Sequence, residues 1–147
     1  MFFSKNFDFF YLKNFKTRPV LFSKHQYLNL SKREKASAIT SIAVFYDVIN
    51  PNRFVSDVKD ILSKDGIWVM EQSYLPILIK NNGYDSICHE HLTYFTLKQI
   101  NYLCEKNNLR IFSSLNKRSK STPPPPEEKA LFEIIYICNI CFSYFEY

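Results

Sequence analysis

The chain has 147 residues, room for one domain, and a formal charge of +5 at pH 7. Its only two glycines, Gly66 and Gly83, cannot supply the Gly-rich turn that usually cradles a nucleotide cofactor between a first strand and its helix. The densest basic clusters, Lys32-Arg33-Glu34-Lys35 and Lys117-Arg118-Ser119-Lys120, adjoin expected linkers and read as solvated joints rather than as a nucleic-acid surface.

Residues 1–35 carry little periodic signal and are expected to be poorly structured, with one short helix around Phe7–Phe15 as the exception. Ala38 to Phe45 is a nearly unbroken apolar run with β-branched residues, the pattern of a strand buried on both faces. Tyr46 to Asn50 leaves that strand, and Pro51 opens a helix at the position where its missing N–H costs nothing. Phe54, Val55, Val58, Ile61 and Leu62 recur at helical spacing. Gly66 is the expected left-handed terminator.

Ile67 to Met70 predicts a second buried strand, ending at Glu71 to Tyr74. A short helix over Leu75–Lys80 follows, broken at Asn81-Asn82-Gly83. Thr96 is a plausible N-cap for a helix carrying Leu97, Ile100, Leu103 and Cys104, and Asn107-Asn108 stops it. Leu109 to Phe112 predicts a third strand. Residues 36–113 thus alternate as in a parallel α/β sheet with right-handed crossovers. The remainder, 114–147, reads as a Pro-rich linker over Pro123–Pro126 and an apolar tail, with a helix expected over 130–147.

No run reaches membrane-spanning length without a charge, and no secretory signal stands before the four cysteines. The expected setting is the cytoplasm, with free thiols. Cys138-Asn-Ile-Cys141 is a lone C-x-x-C, and zinc needs a second pair.

The chemistry concentrates in residues 84–97, where His89, Glu90 and His91 stand among aromatic and aliphatic neighbours. A neutral imidazole beside a carboxylate is a proton acceptor near neutral pH. As a metal pair, His89 and His91 supply too few ligands. In open α/β folds the chemistry sits beyond the carboxyl ends of strands, where Tyr46, Asp47, Glu71 and Tyr74 all fall. A hydrolase built on His91 and Glu90 lacks a Ser or Cys in a strand–turn–helix nucleophile setting.

Several blocks, in order, resemble one family. They are Ile39 to Asp47; Pro51 with Phe54 and Val58; Asp65-Gly66-Ile67-Trp68 with Glu71 to Pro76; and Tyr84 to Leu92 with Tyr94 to Leu97. Residues 37–113 are similar to the C-terminal half of the catalytic domain of S-adenosylmethionine-dependent C-methyltransferases, whose relatives act on nucleotide-linked keto-deoxysugars. The resemblance implies a partial Rossmann-like (class I methyltransferase) parallel sheet of about three strands with flanking helices. It implies S-adenosylmethionine as cofactor and a small carbonyl-activated molecule as methyl acceptor. His91 matches the base, Glu90 its assisting carboxylate, and His89 the remaining member of the loop motif. Ala43, Val44, Phe45 and Asp47 fall on the cofactor side of the crevice, and Glu71, Tyr74 and Cys88 on the substrate side. Cys88 stands where the sugar enzymes often carry a tyrosine. The family's cysteine-rich zinc module, its first strands and the acidic residue that holds the ribose have no counterpart here. The resemblance therefore implies a partial domain, inactive alone, that either draws on a chain supplying the missing half or persists without catalysis by docking to a partner.

Overall fold

A computed structural model describes residues 20–80, 82–83, 87–117 and 132–139. The expected Phe7–Phe15 helix lies outside them. The first described element was not expected. Lys24–Leu30 form a helix (α1) capped by the Ser23 hydroxyl, which accepts from the Gln26 N–H. It is held from outside its own sequence. The Lys24 N–H donates to Asp57 at 3.1 Å, the Lys24 ammonium pairs with Asp60 at 2.5 Å, and Phe22 packs on Phe54 with centroids 4.9 Å apart. A segment without periodicity of its own is ordered by tertiary contact.

Strand β1 spans Ala36–Ile42, shorter than the apolar run suggests. Ala43 takes a left-handed φ of 51°, and Phe45–Asp47 form a 3-10 turn. The run breaks because Phe45 is needed inward: it is fully buried against Phe54, Trp68 and Phe95. Helix α2, Pro51–Ile61, begins at Asn50, whose side-chain oxygen accepts from the Arg53 N–H at 2.9 Å. It buries Val55, Val58 and Ile61.

Strand β2 runs Leu62–Ser73 and pairs in parallel with β1, but the register jumps: Ala36 faces Leu62 and Ala38 faces Ile67. Gly66 sits in this irregular stretch, and no described glycine has a positive φ, which corrects its expected role as a helix terminator. A Cβ there would lie 2.8 Å from the Leu62 side chain and 2.9 Å from the Ala36 carbonyl oxygen. Gly66 is required for close approach, not for handedness. Helix α3, Leu75–Lys80, ends as expected, with Asn82 rather than Gly83 left-handed at φ 52°. Helix α4, Leu97–Lys106, opens with a full capping box between Thr96 and Gln99 and stops at Asn107, with Asn108 left-handed at φ 56°.

Strand β3 spans Leu109–Lys117. A fourth strand, β4 over Phe132–Asn139, replaces the helix expected in the tail. The sheet order is β1-β2-β4-β3, with β4 antiparallel to both neighbours, so β1, β2 and β3 share one direction. An apolar run does not by itself choose between helix and strand. Here β2 and β3 each offer β4 a full ladder of backbone partners, from Ile67↔Cys138 to Ser73↔Phe132 and from Leu109↔Asn139 to Lys117↔Phe132. Ile135 and Ile137 are fully buried.

One face of the sheet carries the core. Trp68, Met70, Leu109, Ile135 and Ile137 pack there with Val55, Val58, Ile100, Cys104, Phe45 and Phe95. Trp68 donates its indole N–H to the Ser41 hydroxyl at 2.9 Å. Burial pushes the Cys104 thiol up to about 12, so that cysteine is an inert core residue. Ala38, Thr40, Ile42, Ile67 and Arg110, on the opposite face, are exposed. Among the described residues no helix is long and apolar enough to cross a membrane.

Candidate functional site

The carboxyl ends of β1 and β2 are clamped together: the Ala43 N–H donates to the Glu71 carbonyl at 2.9 Å. The sharp turn at Ala43 then points successive residues of the 3-10 turn in different directions. Phe45 enters the core, Tyr46 is half-buried and Asp47 is exposed. The segment 87–96 is pinned over this turn. The Thr93 N–H donates to the Tyr46 carbonyl at 3.0 Å, and the Leu75 N–H donates to the Phe95 carbonyl at 3.1 Å. The buried Phe95 ring anchors the segment on Phe45, with centroids 4.9 Å apart.

This places His91, half-buried, against the ring of Tyr46 with centroids 4.3 Å apart, and near Tyr94 at 6.2 Å. The His91 N–H donates to the Cys88 carbonyl at 3.3 Å, which turns the chain between the two histidines. Charges converge here. Burial raises the Tyr46 phenol above its ordinary value, and Asp47, Cys88 and Glu71 raise it further. Partial desolvation also holds the Asp47 carboxyl above the usual carboxylate range; His91 pulls it back and Glu90 pushes it up. Tyr46, Asp47, Glu71, Cys88, Glu90 and His91 therefore share one electrostatic neighbourhood, although 45 positions of chain separate Tyr46 from His91.

The residues singled out in the sequence divide. His89 and Glu90 point to solvent, with side chains 92% and 71% exposed and their nearest charged atoms 3.9 Å apart. Cys88 is an exposed free thiol. Glu71 is half-buried at the end of β2. Ala43 and Val44 form the turn itself, whereas the fully buried Phe45 can line a crevice only through its backbone. Tyr74 starts α3, its carbonyl accepting from the Ile77 and Leu78 N–H groups at 3.0 and 3.1 Å. Asp47, placed by the resemblance on the cofactor side, is the carboxylate that feels His91. The Tyr46 ring against His91 had no signal in the sequence beyond its place at a strand end. Among the described residues no three His, Cys, Asp or Glu side chains come together as a metal set.

A shallow groove of about 560 Å³ opens between the start of α2 and α4, lined by Ile49, Pro51, Phe95, Lys98, Tyr102 and their neighbours. Of the histidine segment only Phe95 lines it, so the groove adjoins the histidine cluster without containing it. Chemically, an imidazole near neutral pH can accept a proton, and this one lies beside an aromatic ring and within the field of a carboxylate.

A family profile described as a methyltransferase domain matches residues 6–114. A C-methyltransferase, NovU, from Streptomyces niveus is 36% identical over 67 residues, covering 46% of this chain and 16% of that protein. A solved methyltransferase from Thermotoga maritima, described as S-adenosylmethionine-dependent and a possible histamine N-methyltransferase, superposes with a TM-score of 0.57 at 13% identity. That match covers 71% of this chain and 57% of the other. A complex of the Haloferax volcanii Trm112 methyltransferase activator with a putative methyltransferase gives a TM-score of 0.55 at 10% identity, covering 72% and 55%. The structural likenesses establish the α/β methyltransferase fold, and the chain spans just over half of each solved relative.

Proposed function

The chain belongs to the methyltransferase-domain family, and from that premise we propose that it carries the proton-handling, acceptor-facing part of an S-adenosylmethionine-dependent C-methyltransferase site. The observation that carries this reading is the convergence of Tyr46, Asp47 and His91 at the carboxyl ends of β1 and β2. The local similarity to a C-methyltransferase supports transfer to carbon. In this reading a base removes the acidic proton beside a carbonyl, and the enolate carbon so formed attacks the methyl group. The acceptor class is accordingly a carbonyl-activated small molecule such as a nucleotide-linked keto-deoxysugar.

His91 is the base in this reading. Asp47 stabilises the imidazolium that forms, and Glu90 adds to the same negative field. Glu71 and Cys88, at the rim of the cluster, contact the acceptor. S-adenosylmethionine, when bound, supplies a methyl group on a sulfonium centre. The Asp47 and Glu90 carboxylates suit the cationic end of that cofactor. Its nucleoside end is not served among the described residues: the Cβ positions of Gly66 and Gly83 face Leu62 and Leu78 inside the fold, so neither glycine forms a cradle.

A second reading rests on a separate observation. Strand β1 is an edge strand among the described residues, and the sheet face beside it exposes Ile42 and Ile67 at 59% and 40%. An open edge with an apolar face invites a further polypeptide. Within the fold's relatives, one methyltransferase is described in complex with an activator protein. On this reading the chain acts only with a partner that completes the sheet.

The test of the base is hydrogen exchange at the acceptor carbon. The chain is fused to the amino-terminal part of the Streptomyces niveus relative and incubated with a keto-deoxysugar nucleotide in deuterated water, without cofactor. His91→Ala is expected to lower deuterium wash-in by about 10²–10⁴-fold, the usual cost of losing a general base. Glu90→Gln is expected to cost less, because it removes only one exposed contributor to the negative field around the site. Exchange at the parental rate in His91→Ala removes His91 from the mechanism.

A further inference from the structure

We propose that Tyr46 is a positioning residue that sets the orientation of the His91 imidazole. This rests on the reading of His91 as the base, but it stands on its own geometry. Three observations meet at one residue. The Tyr46 ring lies against the imidazole with centroids 4.3 Å apart and planes tilted by 56°. The Tyr46 carbonyl accepts from the Thr93 N–H at 3.0 Å, two residues beyond His91, so the same residue holds both the ring and the backbone of the histidine segment. The 3-10 turn that carries Tyr46 is fixed from below by the fully buried Phe45, which packs on Trp68 and Phe95. A turn fixed by its buried Phe45 therefore presents an aromatic ring to a histidine that sits on a segment lacking helix or strand structure.

The arrangement has a chemical consequence. A base delivers its proton-accepting nitrogen only if the ring cannot rotate away from the substrate. His91 has two rotatable bonds, and the Tyr46 face blocks one side of its swing. Burial, with the charges of Asp47, Cys88 and Glu71 adding to it, raises the Tyr46 phenol above its ordinary value, and the ring beside the histidine is neutral. Tyr46 touches His91 rather than the reacting atoms, so its role is exerted through the imidazole.

The experiment uses the full 147-residue chain with isotope-labelled histidine. Its three histidines, His25, His89 and His91, give separable imidazole signals in nuclear magnetic resonance, and the His91 signals are assigned by their loss in His91→Ala. The ring protons of His91 are expected to be displaced by the ring current of Tyr46. Tyr46→Leu is expected to abolish the displacement, whereas Tyr46→Phe keeps it. Emission from the single, buried Trp68 reports whether each variant is folded. Unchanged His91 signals in a folded Tyr46→Leu overturn the proposal. If Tyr46→Leu does not fold, Tyr46→Phe decides: loss of the displacement there overturns it, because the role is assigned to the ring and not to the hydroxyl. In the exchange assay, Tyr46→Leu is expected to lower turnover with little change in half-saturation, and Tyr46→Phe to retain more turnover than Tyr46→Leu. Failure of the base reading is seen separately, as full exchange in His91→Ala.

Discussion

At the scale of single residues, Gln72 contributes an unusual cost. It is fully buried near the end of β2, and neither its amide nitrogen nor its amide oxygen has a hydrogen-bond partner among the described residues. An unsatisfied buried polar group costs about 1–3 kcal/mol. Gln72→Met keeps a similar shape without the amide, and is expected to stabilise the chain by about 1 kcal/mol or more. Urea denaturation followed by Trp68 emission measures it; a lower midpoint in the variant contradicts the assignment. The histidine motif was legible in the sequence because chemistry-bearing residues crowd into one short stretch. Tyr46 was not, because its ring meets His91 across 45 positions of chain, and no periodicity encodes that distance. Glu90 looked like the natural partner of His91 because it is adjacent, yet in the turn its side chain is 71% exposed and its described charge contact is with His89.

At the scale of elements, boundaries follow local chemistry where caps and breakers are strong. The helices from Pro51 and from Thr96 appear where the sequence places them, each opened by a side chain that satisfies a free N–H. Gly66 shows the opposite case. As a lone glycine after a helix it reads as a terminator, but the helix ends at Ile61 without it, and the glycine serves the irregular pairing of β1 with β2. Gly66→Ala is expected to destabilise by about 1–3 kcal/mol, the range for overpacking, because a new Cβ meets the Ala36 backbone carbonyl as well as the Leu62 side chain. Thermal unfolding reads this directly. An unchanged melting temperature means that the strand pairing near Ala36 relaxes freely and that the close approach carries no weight.

At the scale of the whole molecule, the outcome that local reasoning missed is β4. Its run of isoleucines suits a buried helix or a buried strand equally, and only the gap between β2 and β3 decides for the strand. The three expected strands do share one direction, and the fourth runs against them between the second and third. Truncation after residue 117 therefore removes an inner strand rather than a tail. It is expected to abolish cooperative unfolding, because β2 and β3 lose their shared ladder and the core loses Ile135 and Ile137. A truncated chain that melts as sharply as the full one shows that β4 is dispensable.

The proposed reading gives this chain the acceptor-facing, proton-handling part of a methyltransferase site, with no cradle for the nucleoside of the cofactor among its described residues. Calorimetric titration of the full chain with S-adenosylmethionine tests it most directly. With carboxylates for the cationic end only, polar groups of the nucleoside remain unpaired, and unpaired groups lose affinity. The account predicts a Kd weaker than about 1 mM, corresponding to about −4.1 kcal/mol. A micromolar Kd for the chain alone contradicts it.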